Sequence, residues 1–248
     1  AYIDKTVGCG RAVLNADDDN VCDMAEGFGG SVLTFGIRRA ADVTAKNITY
    51  DRGRASFDLC HGSMKKHVTL AVCGEHNVYN ALAAAACAIL CGIPSGAIVT
   101  GLGNFRGAKR RLEFKGKLGG ADVYDDYAHH PTEIAATLDA ARQMGYDRVI
   151  CVYQPHTYSR TKGLFDEFAA ALGKADLPIL CDIYAARETD TLGVSSELLA
   201  KATRGAVYME SFDRIADYLR EHARAGDLIL TMGAGDIAKL AGLLLGGK

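Results

Sequence analysis

A chain of 248 residues is long enough for one large domain or two modest ones with a sizeable core, and two are expected. Its 28 lysines and arginines nearly balance 30 aspartates and glutamates, a formal net charge of −2. That balance excludes capture of a nucleic-acid backbone or an acidic membrane by bulk electrostatics and points to small-molecule partners. No apolar run approaches the roughly 20 residues that span a bilayer, and the start at Ala1 lacks a basic-then-apolar leader, so a soluble cytoplasmic protein is expected.

The first part reads as short strands at Ala12 to Asn15, Ser31 to Phe35, Asn47 to Tyr50, Ala55 to Leu59 and His67 to Val72, punctuated by Gly- and Asp-rich turns. The period then changes. From Val78 to Leu90 an alanine-rich run carries Leu82, Ala86 and Ile89 at helical spacing, and Gly92 and Pro94 end it. A short helix follows over Ser95 to Leu102. Gly101 to Arg111, rich in glycine and basic residues, reads as a connector, so the domains are placed at 1–107 and 108–248.

Beyond the connector, strands are expected at Asp122 to Tyr124, Arg148 to Tyr153, Pro178 to Ile183, Ala206 to Met209 and Leu228 to Thr231. Helices are expected over Pro131 to Met144, Tyr158 to Lys174, Ser195 to Ala202, Phe212 to Arg224 and Asp236 to Leu245. Apolar strands alternating with amphipathic helices predict an α/β unit with a doubly wound, mostly parallel sheet. The eight cysteines form no C-x-x-C pair and no zinc spacing, so they read as buried free thiols in a reducing compartment.

Polar residues gather where these strands end. Asp125-Asp126-Tyr127-Ala128-His129-His130-Pro131-Thr132-Glu133 crowds a strand-to-helix junction, with Pro131 at the first helical position and Glu133 in the first turn. Open α/β sheets bind ligands at that edge. Gln154-Pro155-His156-Thr157-Tyr158-Ser159-Arg160-Thr161 leaves the next strand in the same way; simple capping explains Thr157 or Ser159 but leaves His156 and Arg160 idle. Asn77 and Asn80 open the alanine-rich helix three residues apart, either to read the edge of a heterocycle or, for Asn77, to cap the helix. Arg110-Arg111 offers guanidinium forks for phosphate, or else a solvated pair on a linker.

Two further readings have less to stand on. Gly233-Ala234-Gly235-Asp236-Ile237-Ala238 matches G-x-G-x-x-A, but no βαβ unit with its acidic residue follows before Lys248. Asp125, Asp126, His129, His130 and His156 have metal-ligand chemistry, which would suit a zinc or di-metal hydrolase. Adjacent His129 and His130 do not readily point the same way, however, and no H-x-x-x-H pair occurs on a helix.

Taken together, Glu75-His76-Asn77-x-x-Asn80-Ala81-x-Ala83, Arg110-Arg111, the 125–133 run, Gln154-Pro155-His156 and Met232-Gly233-Ala234-Gly235-Asp236 resemble the Mur ligases of peptidoglycan synthesis, from about Val13 onward. The 154–161 loop is similar to that of the branch adding L-alanine to UDP-N-acetylmuramate, rather than to the ligase that recycles murein tripeptide. The resemblance implies a C-terminal half of a central ATPase domain, then a Rossmann-like amino-acid-binding domain. It implies a reaction in which ATP and Mg²⁺ convert a carboxylate to an acyl phosphate that the incoming amine attacks. Asn77 and Asn80 would hold adenine, Asp126 the ribose, and Arg111 the phosphates. Tyr127, His129, His156 and Arg160 would line the alanine and acyl-phosphate side, with Arg111, His129 and His156 as the catalytic set. The family's uridine-nucleotide domain, its G-x-x-G-K-[ST] loop and its Mg²⁺-binding glutamate and histidine have no counterpart in these residues. The chain is therefore expected to be the C-terminal part of a longer enzyme, inactive alone, its partner being the missing N-terminal portion. The alternatives are a non-catalytic nucleotide-binding module or the ligase that recycles murein tripeptide. Thr157 and Arg187 depart from the family's usual arginine and glycine.

Overall fold

The computed structural model describes residues 10–25, 28–189 and 191–246. The chain divides into two compact units, Ala1–Arg106 and Gly107–Lys248.

In the first unit the elements run β1 (Arg11–Asn15), α1 (Asp19–Ala25), β2 (Ser31–Gly36), β3 (Val43–Asp51), β4 (Arg54–His61), β5 (Met64–Cys73), α2 (Glu75–Leu90) and α3 (Ser95–Asn104). The sheet follows sequence order; β1, β2 and β3 pair parallel, whereas β3, β4 and β5 pair antiparallel. Alternation decides which face is covered. Val43, Ala45, Ala55, Phe57, Leu59, Val68 and Leu70 bury against Val78, Ala81, Leu82, Ala85 and Ala86 of α2 and Ile98 of α3. The alternate residues are polar and bond one another: Ser56 with Thr69 at 2.9 Å, and Asp58 with Asn47 at 2.8 Å and Lys65 at 3.1 Å.

Two features of this unit differ from expectation. β3 begins at Val43 rather than Asn47, and a bulge between Lys46 and Thr49 breaks the alternation that marks a strand in sequence. α1 occupies what reads as an Asp-rich turn; Asp18 Oδ1 accepts the Val21 N–H at 3.2 Å and so stabilises the helix start. Just before it, Asp17 accepts the N–H groups of Ile37, Arg38 and Arg39 and the Tyr79 hydroxyl, all within 3.0 Å. Burial opposes ionisation, but these four donors outweigh it and bring the carboxyl down to about 2.

The second unit contains β6 (Glu113–Leu118), β7 (Ala121–Asp126), α4 (Pro131–Gln143), β8 (Arg148–Tyr153), α5 (Tyr158–Gly163), α6 (Phe165–Leu172), β9 (Leu177–Leu180), α7 (Ser196–Ala202), β10 (Val207–Tyr208), α8 (Phe212–His222), β11 (Asp227–Met232) and α9 (Ala238–Leu244). Strand order is β10-β9-β8-β11-β7-β6, parallel throughout except for β6, which runs antiparallel to β7. Ile134, Leu138, Phe168, Leu172 and Leu199 of α4, α6 and α7 pack with Val149, Cys151, Leu228 and Leu230 on one face. Ile215, Leu219, Leu240 and Leu244 of α8 and α9 cover Val123, Ile150, Val152 and Ile229 on the other. The expected α/β sheet wound on both faces is the one observed.

The strand β6 is absent from the sequence reading because Glu-Phe-Lys-Gly-Lys-Leu is charged and bulged between Phe114 and Gly116, as edge strands are. The helix expected over 158–174 is two helices meeting at Leu164, after Gly163, a poor helix former. The cysteine expectation also needs correction: among the described residues only Cys151 and Cys181 are buried, whereas Cys87 on α2 and Cys91 just after it are exposed and Cys22, Cys60 and Cys73 are half-buried. All seven are free, and Cys9 lies outside the described residues. Among the described residues no helix is long and apolar enough to cross a membrane.

Candidate functional site

The parallel strands β7, β11, β8 and β9 end at one edge of the second unit, so their following loops lie side by side. From β8 the chain passes to α5 and α6 on one face, and from β11 to α9 on the other. Such divergence opens a crevice between neighbouring strand ends.

At the end of β7 the two aspartates, each 2% exposed, do different work. Asp125 accepts Arg110 Nε at 2.8 Å and the Thr231 hydroxyl at 2.8 Å, and Arg110 also donates to the Gly233 carbonyl at 2.6 Å. Arg110 is thus a brace. Arg111 is not: its side chain is 52% exposed and its nearest carboxylate, Glu133, lies 4.0 Å away. Asp126 accepts the Leu112 and Ala128 N–H groups, each at 2.8 Å, and Thr137 Oγ1 at 3.4 Å. Burial pushes its carboxyl up against those donors, and of about four lone-pair directions one is left for a ligand hydroxyl.

The adjacent histidines part company, as their spacing requires. The His130 ring caps α4 by accepting the Thr132 N–H at 3.4 Å, and Pro131 opens the helix. Glu133 reaches back to the N–H groups of His129 at 3.1 Å and His130 at 3.3 Å. Burial opposes its ionisation, but these donors and the charges of His129 and Arg111 hold the carboxyl below its usual range. The His129 ring turns to the loop after β8, with Nδ1 3.1 Å from the Tyr127 carbonyl.

A row of rings then crosses three strand ends. The Arg110 guanidinium sits 4.8 Å from the Tyr127 ring centre, and Tyr127 stands edge-on to His129 at 5.4 Å. His129 meets His156 at 6.3 Å, and His156 stacks on Tyr184 at 5.5 Å and 25°. Tyr127 is 37% exposed and so presents part of its ring to solvent. His156 Nδ1 is buried with no partner among the described residues. Burial first, then Arg160 and His129, depress its pKa, which favours the neutral imidazole. Arg160 is half-buried, and among the described residues its guanidinium has no hydrogen bond or ion pair. Thr157 does not cap α5: its φ is 69° and it makes no side-chain cap bond.

The glycines after β11 serve packing. Gly233 has φ 145°, and a Cβ there would lie 2.7 Å from the Gln154 carbonyl oxygen; a Cβ on Gly235 would lie 2.8 Å from Tyr184 Cγ. Gln154 locks this approach, donating to Asp236 at 2.9 Å and accepting the Ile237 N–H at 3.1 Å.

In the first unit Asn77 lies inside the first turn of α2, whose cap position is Gly74, so the capping reading does not hold. Asn77 Nδ2 donates to the Cys73 carbonyl at 2.8 Å, and Asn77 Oδ1 accepts Asn80 Nδ2 at 3.1 Å. The two amides share a face as their spacing implies, with Asn80 the exposed member. The structure thus gathers Arg111, Asp126, Tyr127, His129, His156 and Arg160 in the second unit and links Asn77 to Asn80 in the first. Sequence reasoning did not single out Tyr184, which lies four residues beyond β9 and stacks on His156. Among the described residues, no group of three or more His, Cys, Asp or Glu is disposed to hold a metal ion.

Two family models match the chain, the Mur ligase middle domain over residues 3–88 and the Mur ligase, glutamate ligase domain over residues 110–235. A UDP-N-acetylmuramate--L-alanine ligase of Clostridium novyi is 44% identical over 244 residues, covering 96% of this chain and 53% of that protein. Its counterpart in Agathobacter rectalis is 43% identical over 250 residues, covering 98% and 54%. The chain spans about half the length of the curated relatives it matches. Among solved structures, the UDP-N-acetylmuramate-alanine ligase MurC of Thermotoga maritima superposes with a TM-score of 0.76 at 23% identity, covering 94% of this chain and 50% of that one. The MurF ligase of Thermotoga maritima in complex with ADP does so with a TM-score of 0.74 at 16% identity, covering 94% and 52%. At these identities both structures speak to the fold alone.

Proposed function

The chain belongs to the Mur ligase family, and from that premise we propose that it is part of an ATP-dependent ligase joining L-alanine to UDP-N-acetylmuramate in peptidoglycan synthesis. The observation that carries this reading is the set formed by Tyr127, His129, His156 and the unpaired Arg160 at the carboxyl edge of the second unit. It suits a small zwitterion. Arg160 is the partner for the amino-acid carboxylate, and His156, whose neutral form is favoured first by burial and then by Arg160 and His129, is suited to take the proton that the ammonium must lose before it attacks.

In the proposed reaction ATP phosphorylates the carboxylate of UDP-N-acetylmuramate. The deprotonated amine adds to that acyl phosphate, and inorganic phosphate leaves as the amide forms. Arg111, exposed and only loosely paired, is suited to neutralise phosphoryl charge. In the first unit the exposed Asn80 amide, oriented by Asn77, offers a donor and an acceptor for adenine. Asp126 can accept a ribose hydroxyl on its remaining lone pair. Mg²⁺ belongs to the proposed reaction, but the described residues offer it no converging donor set, so no step here is assigned to it. Since the chain covers about half of its relatives, turnover is assigned to the longer protein, with this segment binding without reacting.

Titration calorimetry tests the reading. L-alanine should bind the chain and weaken about 10- to 100-fold with Arg160→Ala, and an adenine nucleotide should bind and weaken with Asn80→Ala. Nucleotide binding without any response to L-alanine would favour the non-catalytic module, and turnover by the chain alone would overturn the assignment of reaction to the longer protein.

A further inference from the structure

Two main-chain hydrogen bonds, two bonds from Ser159 to the Glu188 carboxylate and one ring pair tie the loop after β9 to the loop after β8. The Tyr184 N–H donates to the Pro155 carbonyl at 2.8 Å, and the Thr157 N–H donates to the Tyr184 carbonyl at 2.9 Å. The Ser159 N–H donates to Glu188 Oε2 at 3.0 Å, and the Ser159 hydroxyl donates to Glu188 Oε1. His156 stacks on Tyr184 between these bonds. Both oxygens of Glu188 are therefore taken up by the first turn of α5, chiefly by Ser159. The Ser159 hydroxyl and then its N–H hold the Glu188 carboxyl below its usual range.

What this carboxylate does not touch matters as much. Arg160 is the next residue, and both Arg160 and Glu188 act electrostatically on the same His156. An arginine close to a free carboxylate ordinarily pairs with it. Among the described residues Arg160 makes no such pair. The first turn of α5 also lacks the side-chain cap that helix starts commonly have, because Thr157 holds φ 69°, a costly conformation for a β-branched residue, and accepts no N–H through its hydroxyl.

We infer that Glu188 is a positioning residue: through Ser159 it supplies the cap that Thr157 does not, fixes the first turn of α5, and leaves the Arg160 guanidinium uncommitted for a ligand carboxylate. The identity of that ligand rests on the proposed function, whereas the positioning does not. The titratable and charged groups that act on His156 beside this contact come from three segments: His129 from the loop after β7, Arg160 from α5, and Glu188 from the loop after β9.

The test compares Glu188→Ala, which removes both bonds, with Glu188→Gln, which keeps an acceptor for the N–H and a polar partner for the hydroxyl but loses the charge. Amide hydrogen exchange at Ser159 and Thr161, the thermal midpoint and L-alanine affinity are measured on this chain. Glu188→Ala should speed exchange at both amides about tenfold and weaken L-alanine about tenfold, while Glu188→Gln stays within about threefold on each. Both variants should lower the His156 midpoint alike, since each removes the same negative charge. Ser159→Ala, which deletes the hydroxyl bond alone, should fall between them and serves if Glu188→Ala lowers protection throughout the unit. Unchanged exchange in Glu188→Ala, or a glutamine variant as impaired as the alanine one, overturns the inference. If wild-type chain does not bind L-alanine, the proposed function fails, and the exchange comparison still decides the positioning.

Discussion

Burial, Arg160 and His129 hold the His156 imidazole below its ordinary pKa of 6.5, so folding itself keeps a proton off this ring. Between the folded pKa and 6.5 the unfolded chain binds more protons than the folded one. The contribution of His156 to stability is therefore complete above 6.5 and is lost as pH falls through 6.5 toward the folded value. Imidazole resonances followed by NMR should give a His156 midpoint under 6.5, and Arg160→Ala should raise it by removing a nearby cation. A midpoint at or above 6.5 would remove the argument that His156 is poised as a base. Asp125 and Asp126 show how far neighbours in sequence can diverge. Both are buried carboxylates, yet one pairs with Arg110 and the other accepts main-chain N–H groups. Nothing in the two letters distinguishes them; their alternate directions along β7 do.

The loops after β7, β8, β9 and β11 form the site because each is locked to the next. Gly235 shows how close the fit is, since an added Cβ would press on Tyr184 and on Gln154, whose amide is already held by Asp236 and Ile237. Gly235→Ala should cost about 1–3 kcal/mol in chemical denaturation of the second unit and shift the His156 and Tyr184 resonances. A neutral substitution would show that the loop yields freely. The sequence exposed these loops as polar runs after apolar strands, which located His129, His156 and Arg160. It did not expose Glu188, whose role depends on meeting Ser159 29 residues away. Nor did it show β6 or the break at Leu164, because an edge strand lacks the apolar signal and a glycine inside an otherwise periodic run still reads as helix.

Each unit closes its own core, the first between one sheet face and α2 with α3, the second on both faces of its sheet. Residues 107–248 expressed alone should therefore fold, giving a dispersed amide spectrum and a His156 midpoint equal to that in the whole chain. A collapsed spectrum would refute the independence of that core. Composition, periodicity and motif order in the sequence determine that this is an α/β chain of Mur ligase type, with polar loops at strand ends. Those signals are local, carried by residues within a turn or two of one another. Only the tertiary structure decides that Arg110 braces while Arg111 stays open, that His130 caps while His129 faces His156, and that Glu188 leaves Arg160 unpaired. Apart from the His130 cap, a contact two residues away, these outcomes turn on groups far apart in the chain, and burial and hydrogen-bond geometry settle them once the strands are side by side.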